Sequence, residues 1–221
     1  MKIIAYIYTD FPDKFGIPRQ SGLVEETQGK IVFIPEYRNA DALRGLEEFS
    51  HIWLLWEFSK AKRERWSPTV RPPLLGGNKR IGVFATRSPF RPNPIGLSSV
   101  RLSGIDFEDK EGPVIYVKGC DLMNGTPIYD IKPYLPYADS HPDAVGGFTE
   151  SLEERKLEVE IPPELICKIP ENKIKGLKGI LEQDPRPSYQ NDPERVYRFD
   201  YAGMNIAFRV EEGKVIVVEI I

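Results

Sequence analysis

The sequence predicts a strand-rich chain in two unequal parts, a mostly β N-terminal unit and a small α+β unit after it. Three observations carry this reading. β-Branched and aromatic runs recur through the first 139 residues, separated by turn-forming residues. A polar, turn-rich stretch, SHPDAVGG (residues 140–147), then interrupts them. Beyond it a helical pattern is followed by three short strand-like runs. The expected division is 1–139 and 140–221. A length of 221 residues suits one large or two small domains, and 41% hydrophobic residues allow an ordinary packed core.

The elements follow in order. Lys2 to Tyr8 is a first strand rather than a signal peptide, because no small-residue cleavage site follows it. A polar loop with Gly16, Pro18 and Gly22 comes next, then a second strand, Lys30 to Ile34. Asn39 caps a short helix that places Leu43, Leu46 and Phe49 on one face. The apolar run Ile52 to Phe58 is a buried strand, with Trp53 and Trp56 on different faces. Leu97 to Leu102 and Val114 to Gly119 are two strands joined by an acidic turn. Asn124-Gly125 marks a tight turn. Leu152 to Ile161 alternates as a strand, and Pro163 to Leu181 is helical, weakened by Gly176 and Gly179. Val196 to Tyr201, Met204 to Val210 and Val215 to Ile220 form a meander.

Composition narrows the function classes. No apolar run approaches a membrane span. Cys120 and Cys167 are far apart and form no CxxC, and only His51 and His141 add imidazoles. No metal site is expected, and a reducing, cytoplasmic setting fits. A net charge of −3 argues against general coating of nucleic acid, yet the charge is unevenly spread. From Lys60 to Arg101 ten cations stand against one acid, Glu64, so this segment carries +9 and the rest −12. Trp66 and Phe90 lie among those cations. RNA loops favour that mixture, since phosphates need cations and splayed bases need π-faces; a solvated charged surface has the same composition.

The chain is organised around Ile81 to Arg101, IGVFATRSPFRPNPIGLSSVR. Pro89, Pro92 and Pro94 stiffen the loop before anything binds. Arg87 and Arg91 then offer preorganised forks for an anion or a π-face; a rigid crossover with solvated arginines is the plainer alternative. Pro18-Arg19-Gln20 repeats the theme of a fixed approach, a fork and an amide. The segment CDLMNGTPIYDIKPYLPYAD crowds Asp121, Asn124, Thr126, Asp130, Lys132 and Tyr134 about one turn, as a small-molecule pocket does. Asp121 and Asp130 each suit a ribose bond, a proton transfer or simple turn capping. No GxGxxG, P-loop, GxSxG or HExxH occurs, so a nucleotide-like ligand is not expected to be held in the Rossmann manner.

PRQSGLV (18–24), FSHIW (49–53), PTVRPPLLGGN (68–78), GVFATRSPFRPNPIGLS (82–98), DLMNGTPIYDIKPYLPYAD (121–139) and QDPRPSY (183–189) together resemble the TrmO family, also called TsaA-like or YaeB-like. These are S-adenosylmethionine-dependent tRNA methyltransferases. The likeness runs along nearly the whole chain in the same order. It implies a small, non-Rossmann β-barrel catalytic domain, a small C-terminal domain and a homodimer. It also implies N6-methylation of adenosine 37 in the tRNA anticodon loop, on a base already carrying threonylcarbamoyl. Family cofactor contacts fall here on Pro18, Arg19, Gln20, Ser59, Lys60, Arg87, Leu97, Asp121, Leu122, Met123 and Asn124. Many members carry histidine where this chain has Ser59.

The chemistry adds roles to that frame. A methyl sulfonium is already electrophilic, so positioning the amine in line is the main task. N6 of adenine is a weak nucleophile and must lose a proton, for which Asp121 or Asp130 is the expected acceptor. Tyr134, placed with them in the catalytic set, or Phe90 offers a face for a flipped base. Arg71, Lys79, Arg80, Arg91 and Lys132 are expected on anticodon-loop phosphates. Two other classes compete: a non-catalytic RNA-binding barrel, and a methyltransferase acting on a small molecule.

Overall fold

The computed structural model describes residues 1–61, 65–75, 78–150, 156–186 and 192–221. Lys62, Arg63, Gly76-Gly77, the start of the 152–161 strand and the end of QDPRPSY fall outside the described residues.

Six strands close a barrel: β1 (Ala5–Thr9), β2 (Gln28–Phe33), β3 (His51–Glu57), β6 (Ile95–Asp106), β7 (Val114–Lys118) and β8 (Thr126–Pro133). Their order around the barrel is β1-β2-β7-β6-β3-β8, and every pairing is antiparallel. Two more strands, β4 (Thr69–Val70) and β5 (Ile81–Gly82), pair outside it as a short ribbon. Period-2 alternation fixes the inside. Ile52, Leu54 and Trp56 of β3 point into the core with Ile7, Ile31, Val100, Ile115 and Ile128, while Trp53 and Leu55 face outward. Trp56 lies opposite Gly96 in the β3–β6 pairing. A Cβ on Gly96 would stand 2.2 Å from the Trp56 ring, so the indole fits only beside glycine.

The C-terminal sheet runs β10 (Tyr197–Tyr201), β11 (Met204–Glu211), β12 (Lys214–Ile220) and β9 (Glu158–Glu160), the last pair parallel. Its core holds an aromatic cluster: Phe199 lies edge-on to Phe208, and Tyr197 stacks on Phe208. Leu177, Ile180 and Leu181 of helix α3 (Glu171–Glu182) cover it.

The expected helices differ in detail. Asn39 caps as read, accepting from the Asp41 N–H, but the helix after it is two 3₁₀ turns, Ala40–Leu43 and Leu46–Glu48. Gly45, at φ +85°, breaks it between them. The 163–181 helix splits into α2 (Pro163–Ile166) and α3, because Pro170 cannot continue a helix and instead caps the second. A short α1 (Pro136–Asp139) follows β8, and its Asp139 accepts a 2.9 Å bond from Trp53 Nε1. Among the described residues no helix is long and apolar enough to cross a membrane.

Candidate active site

One end of the barrel carries a polar file. Trp56 Nε1 donates to Ser98 Oγ at 3.0 Å, and Ser98 Oγ donates to Asp121 Oδ1 at 2.6 Å. Ser98 is buried because it takes an inward position of β6. Burial pushes the Asp121 carboxyl above the usual carboxylate range; the Ser98 bond, backbone N–H groups and the nearby Arg87 charge pull the other way. Next to it Cys120 is fully buried, and burial pushes its thiol up to about 12. A thiol held protonated is no nucleophile.

The loop bearing Pro18, Arg19 and Gln20 passes over this end. Arg87 Nη1 donates to Gln20 Oε1, Gln20 Nε2 donates to the Arg19 carbonyl at 2.5 Å, and Arg19 Nη2 reaches the Asp184 carbonyl at 3.3 Å. The loop is tied down on both sides. Gly22 N–H donates to the Gly119 carbonyl at 2.8 Å, and Thr27 Oγ donates to the carbonyls of Val24 and Cys120. Phe11 and Val24 at its two ends are buried in the core of the C-terminal sheet. Gly16, at φ +92°, lies so close to Phe199 that a Cβ would stand 2.4 Å from the ring. Lys173 of α3 pairs with Asp10 at 2.6 Å.

The 121–124 segment is held by Thr9. Its N–H donates to Asn124 Oδ1 and its Oγ to the Leu122 carbonyl. Thr126 N–H donates to the Met123 carbonyl at 3.2 Å and Gly125 has φ +75°, so the Asn124-Gly125 turn stands where the sequence places it.

The central loop is braced by its own hydroxyls as well as its prolines. Ser88 N–H donates to Thr86 Oγ, Phe90 N–H to Ser88 Oγ, and Arg91 Nη1 to the Thr86 carbonyl. Phe58 N–H donates to the Pro94 carbonyl at 2.9 Å and pins the loop's exit into β6 against the end of β3. This loop, the Arg19-Gln20 loop and residues 183–186 border one broad cleft of about 2960 Å³. Arg65, Arg71, Arg80, Arg87 and Arg91 line it, and Lys79 is exposed beside Arg80. Arg186 also lines the cleft and pairs with Asp184 at 2.8 Å. Through the bond from Arg19 to the Asp184 carbonyl, residues 183–186 brace the Arg19-Gln20 loop.

The remaining expected residues are spread wider. Ser59 and Lys60 form a 3₁₀ turn with Ala61, which borders the cleft. Leu97 is 51% exposed on the outer wall of the barrel. There it shares Leu55 as a cross-strand neighbour with Asp130. Asp130 pairs with Lys132 at 3.1 Å, away from Asp121. Tyr134 lies at the other end of β3, its N–H on the His51 carbonyl and its ring against Trp53 at 5.6 Å. That is about 17 Å along the strand from Trp56 at ~3.3 Å per residue. Within one chain, then, Asp121 joins Arg87, Gln20 and Arg19, whereas Asp130 and Tyr134 do not. Sequence reasoning missed Ser98; the available signal was a serine on the inward phase of an otherwise apolar strand. It also missed the exposed Phe84, which stands beside Trp66 in the cleft.

Among the described residues no group of three or more His, Cys, Asp and Glu side chains could hold a metal. A buried carboxylate beside a guanidinium and an amide suits a zwitterionic, hydroxyl-bearing small molecule, and the arginine-lined cleft suits a polyanion.

Comparison with known proteins shows the family. Residues 6–140 match the family model for the tRNA-methyltransferase O N-terminal domain, and residues 154–221 match that for the TrmO C-terminal domain. The tRNA (adenine(37)-N6)-methyltransferase of Escherichia coli (strain K12) is 41% identical over 219 residues, covering 95% of this chain and 92% of that protein. The Eikenella corrodens protein of the same name is 44% identical over 170 residues, 76% of this chain and 95% of the relative. A crystal structure of TrmO from Pseudomonas aeruginosa superposes with a TM-score of 0.80 at 31% identity, covering 100% of this chain and 96% of that one.

Proposed function

The chain belongs to the tRNA-methyltransferase O family, and on that premise we propose that it transfers a methyl group from S-adenosylmethionine to N6 of adenine 37 in tRNA, on a base already carrying threonylcarbamoyl. The observation that carries this reading is buried Asp121 close to Arg87, which with its partner Gln20 lines an arginine-rich cleft. The cleft gives the polyanion a place, and the buried corner gives the cofactor one.

The residues present fit the cofactor. Arg87 and Arg19 supply guanidiniums for a carboxylate, and Asp121 an acceptor for ribose hydroxyls or an amine. Backbone carbonyls of the 121–124 segment supply further acceptors. S-adenosylmethionine supplies an electrophilic methyl on its sulfonium. The protein's part is position and one proton. The stiff central loop sets Arg87, and the Gln20 amide holds its guanidinium in one orientation. Asp121 is the one carboxylate of the expected catalytic set that shares this corner, so it receives the N6 proton as the new N–C bond forms. Its raised affinity for protons suits that task. Arg71, Arg80 and Arg91, with Lys79 beside them, hold loop phosphates. Asp130, Lys132 and Leu97 share the outer wall, where the exposed Ile95 and Leu97 offer a face for a second copy of the chain.

The test is methyl transfer from labelled S-adenosylmethionine to two tRNA pools, threonylcarbamoylated at adenosine 37 or not. Label confined to the modified pool is the expected result. Label in neither pool, with cofactor binding intact, moves the acceptor elsewhere. No label and no cofactor binding leaves an RNA-binding barrel.

A further inference from the structure

The geometry points to a base-stacking platform made by Trp66 and Phe84, which takes an unpaired nucleobase of the RNA loop outside the methylated position. The inference rests on the RNA-methylating reading above and adds a subsite to it.

Single exposed aromatics are ordinary, and Tyr137 and Phe107 are exposed here too; two exposed rings side by side make a patch, which is the informative case. Trp66 is 51% exposed and Phe84 is 71% exposed. Their ring centroids stand 6.1 Å apart with the planes inclined by only 31°. The other tryptophans are employed otherwise: Trp56 fills the barrel and Trp53 bonds Asp139. The pair is therefore no overflow from a core.

Its position is also held. The β4–β5 ribbon pairs Thr69 with Gly82 and Val70 with Ile81. One more bond, Val83 N–H to the Pro68 carbonyl at 2.9 Å, extends the ribbon toward the two rings. Val83 is buried and anchors the 3₁₀ turn that lifts Phe84 into solvent. Ser67 Oγ donates to the Thr69 carbonyl and fixes the approach to Trp66. Both backbones are tied, so the rings are presented with little freedom left to lose on binding.

The charge around them selects the occupant. Arg65, Arg71 and Arg80 line the same cleft. Arg80 is held by Thr69 Oγ at 3.1 Å, and no described carboxylate pairs with Arg65 or Arg71. The same cleft carries the acids Glu57, Asp184, Glu211 and Glu212, so its charge is mixed. But Arg65 directly precedes Trp66 in the chain, and the Thr69-held Arg80 stands on the ribbon that presents both rings. An apolar face with guanidiniums in the same cleft matches a nucleobase attached to phosphates. Inside a helix, stacking on the neighbouring base pairs covers both faces of a base and pairing occupies its edge, so the platform needs unpaired RNA.

The experiment uses the full chain and a hairpin RNA with an unpaired loop, with a blunt RNA duplex as the control. Tryptophan fluorescence reports stacking on Trp66, the most exposed of the three indoles. We expect quenching by the hairpin and little by the duplex. Trp66→Phe should lose the quenching and keep affinity within about threefold, since a ring remains to stack. Phe84→Ser and Trp66→Ala should each weaken hairpin binding about 10-fold, leave the salt dependence unchanged and leave cofactor affinity at the wild-type value. Circular dichroism confirms the fold, and the exposure of Phe84 makes its serine variant the safe one. Hairpin binding unchanged in Phe84→Ser, or equal quenching by duplex, overturns the platform while the methyl-transfer assay still stands. A wild-type chain that neither binds the hairpin nor methylates tRNA overturns the functional reading, and the platform with it.

Discussion

The two cores of this molecule are built differently, and each serves the site in its own way. The barrel core is chiefly aliphatic, and one polar file runs out of it through Trp56 and Ser98 to Asp121. The C-terminal core adds to its aliphatic residues a cluster of large rings, Tyr197, Phe199, Tyr201 and Phe208, and it seats Phe11 and Val24 from the N-terminal part of the chain. The first core therefore holds the acid. The second holds the ends of the loop that carries Arg19 and Gln20. The site is assembled from both, although all but one of the sequence motifs, QDPRPSY, belong to the first 139 residues.

The sharpest way to test this division is Asp121→Asn. We expect methyl transfer in single turnover to fall about 1000-fold, with the fold retained. The acid limb of the wild-type rate profile should lie above the ordinary carboxylate range, because the proton acceptor must be ionised and burial raises its pKa. Stability moves the opposite way. A raised folded-state pKa contributes stability below the unfolded value, and that contribution is lost as pH rises through the folded one. The asparagine variant should thus melt at a higher temperature than wild type at neutral pH while being inactive. Equal rates in the two proteins would break the assignment.

Phe199→Ala attacks the other core. It should cost about 3–5 kcal/mol in chemical denaturation. Among molecules still folded it should also weaken cofactor binding, because the seat of Gly16 is gone. Loss of stability with cofactor affinity intact would separate the two cores and sink the idea that the second positions the loop. Arg87→Ala should weaken cofactor binding roughly 10- to 100-fold by calorimetry, as expected for a charge-assisted bond. Cofactor affinity and turnover both unchanged would remove Arg87 from its role.

Two smaller effects refine the comparison. Lys173→Ala breaks the half-buried pair with Asp10 and should cost about 2 kcal/mol. Tyr134→Phe should leave the transfer rate within about twofold, since its hydroxyl lies at the far end of the barrel. A tenfold loss there would bring that end, through a second copy of the chain, into the site.

Much of the fold was legible because period-2 alternation survives in single strands. The residues of β3 and the C-terminal meander announce their faces without knowledge of their neighbours. The Asn124-Gly125 turn was legible for a local reason too, since glycine relieves the positive φ. The 39–49 and 163–181 helices were overextended, because one Gly and one Pro broke them where the apolar spacing ran on. The site was half legible. Arg87, Arg19, Gln20 and Asp121 stand in marked motifs, but Ser98 matters only through two bonds to residues 42 and 23 positions away.

By itself, then, the sequence determined what depends on neighbours along the chain: strand faces, proline stiffening, the turn and the crowding of cations between Lys60 and Arg101. The tertiary structure decided what depends on closure. Barrel geometry set Asp121 beside Arg87 and sent Asp130 to the outer wall, nine residues later in the same chain. It carried Phe84 alongside Trp66, across 18 residues of separation. The physical reason is common to both: side chains on one strand are ordered by the pleat, whereas contacts between strands exist only after the ladder has fixed its register.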